Sequence, residues 1–227
     1  MASTNDRQAP IDRYHRIGLS GNPFSVQFSD SRSDRCDEAW FVDRGVPDPP
    51  PPGSRVLFQV IGDQGLGKSI HLAHWRQRRP GPIHYIPRSP YRQRWVEPPL
   101  GPLVYGDEID RMPRLRRRQW FRRLAALGAT VVVGTHRDLE RLGRRHGFEV
   151  RTYRLKPLTA EELRSVVDGR LRAAAVGTRP VQVSFGSADL EQIMVESEGN
   201  PRAVDGICHQ VLAGLAISAT SRRMSDS

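Results

Sequence analysis

Lysine is almost missing from this chain: Lys68 and Lys156 are the only two among 35 basic residues. Cysteine is as scarce. Cys36 and Cys208 stand alone, with no spacing that suits a zinc site or a disulfide framework. A cytoplasmic setting without structural disulfides is the default expectation. No run of eighteen apolar residues occurs, so a membrane span is not expected. The polar start carries no apolar signal-peptide core. Helix-turn-helix and zinc-finger patterns are absent, and little length follows the last expected helix to hold such a module. The same shortness disfavours a secretion role that needs a long membrane- or peptidoglycan-binding extension. Hydrophobic content is only 37%, yet 227 residues suffice for a moderate α/β domain with a small appendage.

What is abundant is arginine, which sets a formal net charge of +10. Composition alone admits two readings: an anionic partner such as nucleic acid, or a general compositional bias toward arginine. In a chain so poor in lysine, the position of Lys68 carries more weight than it otherwise would.

Lys68 closes the stretch Gly62-Asp63-Gln64-Gly65-Leu66-Gly67-Lys68-Ser69. An apolar run, 56–61, precedes it and a helical pattern, 68–78, follows. Strand, glycine-rich turn, Lys-Ser and helix is the layout of a phosphate-binding loop. The glycines let backbone amides turn toward phosphate oxygens. Lys68 supplies a point charge for terminal phosphates, Ser69 a hydroxyl for magnesium, and the helix start a positive potential.

Downstream, the apolar stretch 103–105 runs into Gly106-Asp107-Glu108. Ligands of open α/β sheets bind beyond the carboxyl ends of strands. Asp107 is therefore expected to hold magnesium through water, and Glu108 to orient and polarise an attacking water. Asp110 reads as a helix start or a surface contact. A further strand, 129–133, ends in Gly134-Thr135-His136. Thr135 is the first choice there for a contact to water or phosphate, and His136 the second.

Strands are expected at 55–61, 83–86, 103–105, 129–133 and 149–155, the last at an edge. Helices are expected at 68–78, 113–127 and 138–145. Leu115, Phe121, Leu124 and Leu127 are the candidates for the apolar face of the second of these. Strands alternating with helices predict an α/β fold with a mostly parallel, three-layer sheet. After Pro157 the pattern becomes helical. Thr159 and Glu162 form a capping-box signature. A second helix fits 187–198. Asn200 and Pro201 open a third, with Val204, Ile207, Val211 and Leu215 on one side. The expected division is an N-terminal segment over 1–45, extended to about residue 30, a core over 46–157, a helical lid over 158–220 and a disordered tail over 221–227. A short helix is conceivable within 31–45, and 88–102 reads as a surface loop.

These motifs, in this order, make the chain resemble a compact AAA+ ATPase over about residues 16–217. The flavour is that of bacterial secretion-pathway and transposition-regulator ATPases, with origin-recognition ATPases as relatives. The resemblance rests on Asn22-Pro23-Phe24, the Walker A loop, the Walker B pair Asp107-Glu108, Thr135 at the sensor position, and Gly199-Asn200-Pro201-Arg202. It implies a P-loop NTPase that uses ATP and Mg2+, with Arg202 reaching the terminal phosphates and Ile17 against adenine. An arginine in a helix's first turn is locally unfavourable, which fits an anion near Arg202. It also implies an arginine finger acting on a neighbouring subunit. Arg144 or Arg145 fits that position, with Arg141 a third choice. No guanine-selective Asn/Thr-Lys-x-Asp motif is present.

The substrate of such an ATPase is less legible. Arg111, Arg114, Arg116, Arg117, Arg118, Arg122 and Arg123, with Trp120 interleaved, could track a phosphate backbone, face a partner's acidic surface or form an ordinary solvated face. Three readings follow: an oligomeric ring or filament that binds duplex DNA and controls a partner protein, an ATPase acting on protein partners without DNA, and a nucleotide-gated interaction module with little turnover.

Overall fold

A computed structural model of the chain describes residues 14–24, 41–86, 97–177 and 181–225, the last nine by backbone alone. The expectations for 1–13, 25–40, most of the 88–102 loop and the two terminal residues lie outside the described residues, while 221–225 of the expected disordered tail is helical. The chain divides into two compact units, one formed by Ser29–Lys156 and the other by Met1–Phe28 with Pro157–Ser227.

The first unit is built on five strands: β1 (Val56–Ile61), β2 (Ile83–Tyr85), β3 (Leu103–Asp107), β4 (Thr130–Thr135) and β5 (Glu149–Arg154). They pair in parallel throughout, in the order β2-β3-β4-β1-β5. β1 and β4 are buried along their whole length, so they read as continuous apolar runs rather than alternating ones. β5 lies at the edge, and its exposed positions carry Glu149, Arg151 and Arg154.

Alternation along the strands divides two apolar layers. Phe58 and Val60 of β1, Tyr105 of β3 and Val132 of β4 pack with Leu72 and Trp75 of helix α1 (Lys68–Arg78). Leu57, Val104, Val131 and Val133 face the other way. They meet Trp120, Phe121 and Leu124 of α2 (Arg114–Ala126), then Leu139 before α3 (Glu140–Arg145) and Phe148 after it. Helices thus cover both faces, as right-handed crossovers in a parallel sheet require. A short 3-10 turn, Ile109–Arg111, links β3 to α2.

The expected face of α2 needs correction. Leu115 is 71% exposed and Leu127 55% exposed, whereas Trp120 is buried. The Trp120 indole nitrogen donates to the Pro99 carbonyl at 3.2 Å. Trp120 is a core residue and not a stacking aromatic on a basic face.

The second unit holds α4 (Ala160–Ala173), α5 (Ser187–Ser197) and α6 (Pro201–Ser225), packed in succession. The Thr159–Glu162 capping box forms in full, and Asn200 accepts from the Arg202 amide at 3.0 Å. Val204, Cys208, Leu212 and Ala216 form the buried face of α6, while Val211 and Leu215 are exposed. The expected 204-207-211-215 side is rotated from the actual 204-208-212-216 one. Buried Cys208 is a free thiol that burial pushes up to about 12, so it is inert.

Within 14–24 the chain is not an extended arm. It folds into a helical turn and bridges Leu19 to Ala175 in antiparallel fashion. Asn22 donates to the His209 carbonyl at 3.1 Å. Phe24 lies edge-on to Phe185, with the Arg170 guanidinium over its ring. Arg170 forms a buried ion pair with Asp205.

Candidate functional site

Register builds the site. Ile61 pairs with Thr135, and Gly134 with Asp107, so β1, β4 and β3 end at one level. β1 leads away toward β2 on one side, and β4 leads over β1 to β5 on the other. Between them lies the switch point where open parallel sheets bind ligands. The loop 62–67 leaves β1 there, and residues 135–137 leave β4.

The loop turns on left-handed glycines, with φ 91° at Gly65 and 94° at Gly67. Leu66 anchors it in the apolar layer under α1, and the Arg44 guanidinium donates to the Leu66 carbonyl at 2.9 Å. Asp63 and Gln64 are exposed at its tip. Helix α1 has no side-chain cap and no acidic residue in its first turn. Its leading amides are thus left for an anion.

Lys68 is 5% exposed. Its ammonium donates to the carbonyls of Gly62 at 2.7 Å and Asp63 at 2.9 Å, with His136 Nδ1 at 3.4 Å. Burial lowers its pKa, against the opposing pull of Glu108, Asp107, Asp110 and Asp63. Ser69 Oγ donates to Asp107 Oδ2 at 2.7 Å. Gly134 makes this approach possible: a Cβ there would stand 2.9 Å from Asp107 Oδ1 and 3.3 Å from Lys68 Cβ.

Glu108 follows Asp107 in a left-handed conformation, its amide bonded to the Gly134 carbonyl at 2.9 Å. Its carboxylate meets Arg111 at 3.0 Å and His136 Nε2 at 2.8 Å. Thr135 is fully buried. Its hydroxyl lies 3.1 Å from Asp110 Oδ1 and 2.8 Å from the Arg137 carbonyl. Asp110 also accepts from the His136 amide at 3.2 Å. Asp110 thus lies in the first turn of the 3-10 helix, as the helix-start reading expects, and it also braces the β4 end. Thr135 points into that brace, and His136 is the residue that reaches both Lys68 and Glu108.

Among the described residues no cluster of three or more His, Cys, Asp or Glu could hold a metal alone. The site instead offers two hard oxygen groups, Ser69 and Asp107. That donor set suits magnesium, which takes one or two protein oxygens and completes its shell with phosphates and water.

The expected arginines of α3 lie away from this cluster. Arg144 is exposed and paired to Glu140 at 2.8 Å, and Arg145 lies beside His146 at the far end of α3. Ile17 is buried and Arg202 exposed, both within the second unit. Of the arginines after the acidic pair, Arg111 is engaged by Glu108, Arg117 by the Asp110 carbonyl and Arg123 by Glu97. Sequence reasoning gave no role to Arg44, and it put Arg111 in a different one. Only tertiary geometry brings them to the loop and to Glu108.

No protein-family model matches the chain, and no curated protein does either.

Proposed function

We propose that the chain is a magnesium-dependent ATPase of the AAA+ type, a P-loop NTPase, acting as an oligomer in the cytoplasm. In this reading it associates with duplex DNA and controls a partner protein, as transposition regulators do. The observation that carries the nucleotide reading is the convergence of Lys68, Ser69, Asp107 and Glu108 at the switch point between β1 and β4. The glycine loop and the uncapped start of α1 would hold the phosphates. Ser69 and Asp107 would hold the magnesium, which supplies charge neutralisation across the phosphates.

Lys68 would exchange its two loop carbonyls for phosphate oxygens. Glu108 would take the proton of an attacking water, positioned by Arg111 and His136. Arg144 or Arg145 of a neighbouring copy would complete the charge stabilisation, and Arg202 and Ile17 would close over the nucleotide. The DNA clause is supported by the net charge and by the exposed arginines of α2.

One observation favours the reading with little turnover. The Glu108 carboxylate is engaged by Arg111 and His136 rather than left open to a water in the state described. Stimulation of ATP hydrolysis by DNA separates the two.

The primary test is Lys68→Ala. Binding of a fluorescent ATP analogue with magnesium, read by anisotropy, is expected to weaken by at least about tenfold, since a charged contact of roughly 1.5–3 kcal/mol is removed. Equal affinity in a folded variant would end the nucleotide reading.

A further inference from the structure

The strands that bring the loop to one edge of the sheet bring a different group of residues to the opposite edge. Arg55 precedes β1 and Gly147 precedes β5, and these two strands pair in parallel. Arg55 is left-handed (φ 52°), its amide bonded to the Gly128 carbonyl and its carbonyl to the Glu149 amide. Its guanidinium lies over Gly147, where a Cβ would stand 2.7 Å from Nη2. Arg122 comes from α2 just before its last turn and Arg145 from the last turn of α3, with His146 as that helix's C-cap. Together they line an open cavity of about 580 Å³ that contains no carboxylate.

Cations at helix C-termini are ordinary, because they complement the dipole. That accounts for one arginine per helix end. It does not account for Arg55, brought into the same cavity from the start of β1. None of Arg55, Arg118, Arg122 and Arg145 has an ion pair to a described carboxylate. The Nε2 atom of His146 is buried with no hydrogen-bond partner among the described residues. Burial, then Arg145, Arg122 and Arg118, lowers the pKa of His146. Like charges gathered without a counter-charge raise the free energy of the folded chain, and a bound anion relieves it.

The cavity also continues outward. Arg122, Arg118 and Arg114 are exposed at successive four-residue steps of α2, about 6 Å apart along its axis. A single phosphate would use the cavity alone; a row of cations leading out of it suits a chain of phosphates. A protein partner fits less well, since interface centres are depleted in charge and enriched in aromatics, and the cavity lining holds no aromatic ring beyond His146.

We propose that this cavity is a phosphate-binding subsite for a polynucleotide strand, which continues along α2 over Arg118 and Arg114. Guanidinium forks match phosphate oxygens two at a time. The choice of ligand rests on the DNA clause of the proposed function; the site itself is independent of the nucleotide loop at the other edge.

The test is anisotropy of a labelled 20-base-pair duplex and of its single strand, titrated with the full chain at several salt concentrations. Arg55→Gln/Arg122→Gln is compared with Arg164→Gln/Arg172→Gln, an equal charge change on exposed positions of α4. The cavity variant is expected to bind DNA at least about tenfold more weakly. Its log–log salt slope should fall by about 2, as expected for two lost phosphate contacts. The α4 variant should bind like the parent, and all three should bind the ATP analogue equally.

Unchanged DNA binding by the cavity variant, or an equal loss in the α4 variant, overturns the subsite and leaves the DNA clause standing. A parent chain that binds no DNA overturns both and leaves nucleotide binding untouched. A cavity variant that keeps its DNA affinity but loses DNA-independent ATP turnover overturns the subsite in favour of a contact to a neighbouring copy's nucleotide.

Discussion

Glu108 sits in a left-handed backbone conformation (φ 59°, ψ 33°), which costs a residue with a side chain about 1–2 kcal/mol. The return on that strain is orientation. The turn after Asp107 sends the Glu108 side chain to Arg111 and His136, and it lets the Glu108 amide bond the Gly134 carbonyl. Backbone strain held at a polar strand end is a mark of a working site rather than of a packing site. Glu108→Gln keeps the size of the side chain and removes its basicity. ATP-analogue affinity should stay within about twofold, because Lys68, Ser69 and Asp107 are untouched. Steady-state hydrolysis should fall by about 10²–10⁴-fold, the usual contribution of a positioned general base. Normal hydrolysis in the variant would remove Glu108 from the chemistry and turn attention to its neighbour His136.

At the scale of elements, the closest packing of helix on sheet occurs where α1 crosses β4. Gly134 has Leu72, Lys68 and Asp107 within 3.3 Å of the place its Cβ would take. Gly134→Ala should therefore cost about 1–3 kcal/mol as an overpacking change and also push the Asp107 carboxylate away from Ser69. Thermal melts and analogue titrations should both report it; a variant with parental melting and parental affinity would show that the approach is slack.

Much of this architecture could be read from the chain. α1 occupies the expected span because a glycine-rich turn starts it and Pro80 follows it. β4 stood out as a run of valines, and the α4 capping box is a purely local device. The helix faces were harder. On α2, Phe121 and Leu124 are buried as expected, but Leu115 and Leu127 are exposed and Trp120 is the core member that was passed over. On α6, Cys208 and Ala216 serve as core residues in a period-four row that a search for large aliphatics passes over. In the site, the loop and the acidic pair were legible because their spacing is local. The roles of Asp110, Arg111 and Arg44 were not, since each depends on a neighbour brought near only by folding: respectively β4, the left-handed turn and the loop.

The whole molecule is strongly basic, at +10 before any histidine is protonated, and acid makes it more so. Two effects then act in the same direction and can be separated. Three histidines of the Ser29–Lys156 unit have lowered pKa values: His71 chiefly by burial, His84 by burial, and His146 by burial and then by Arg145, Arg122 and Arg118. Each takes up a proton less readily in the folded chain than its unfolded counterpart, which titrates near about 6.5. Below that pH the unfolded state binds more protons, so this stability is fully present above about pH 6.5 and is lost as pH falls toward the folded values. Self-repulsion of the net positive charge also grows in acid as histidines and carboxylates take up protons, but 0.5 M salt screens exposed charges far more than buried ones. All four tryptophans of the sequence fall within this unit, with Trp75 and Trp120 each 2% exposed, so their fluorescence follows its unfolding. The midpoint is expected to drop by about 5 °C or more between pH 7.5 and 5.5, and the drop should persist in 0.5 M salt. His71→Gln can still donate to the Gly67 carbonyl that His71 Nδ1 approaches at 3.0 Å, and it should flatten part of the slope. A midpoint that is constant in high salt would assign the acid sensitivity to surface charge; one that rises in acid would mean these histidines gain their protons on folding.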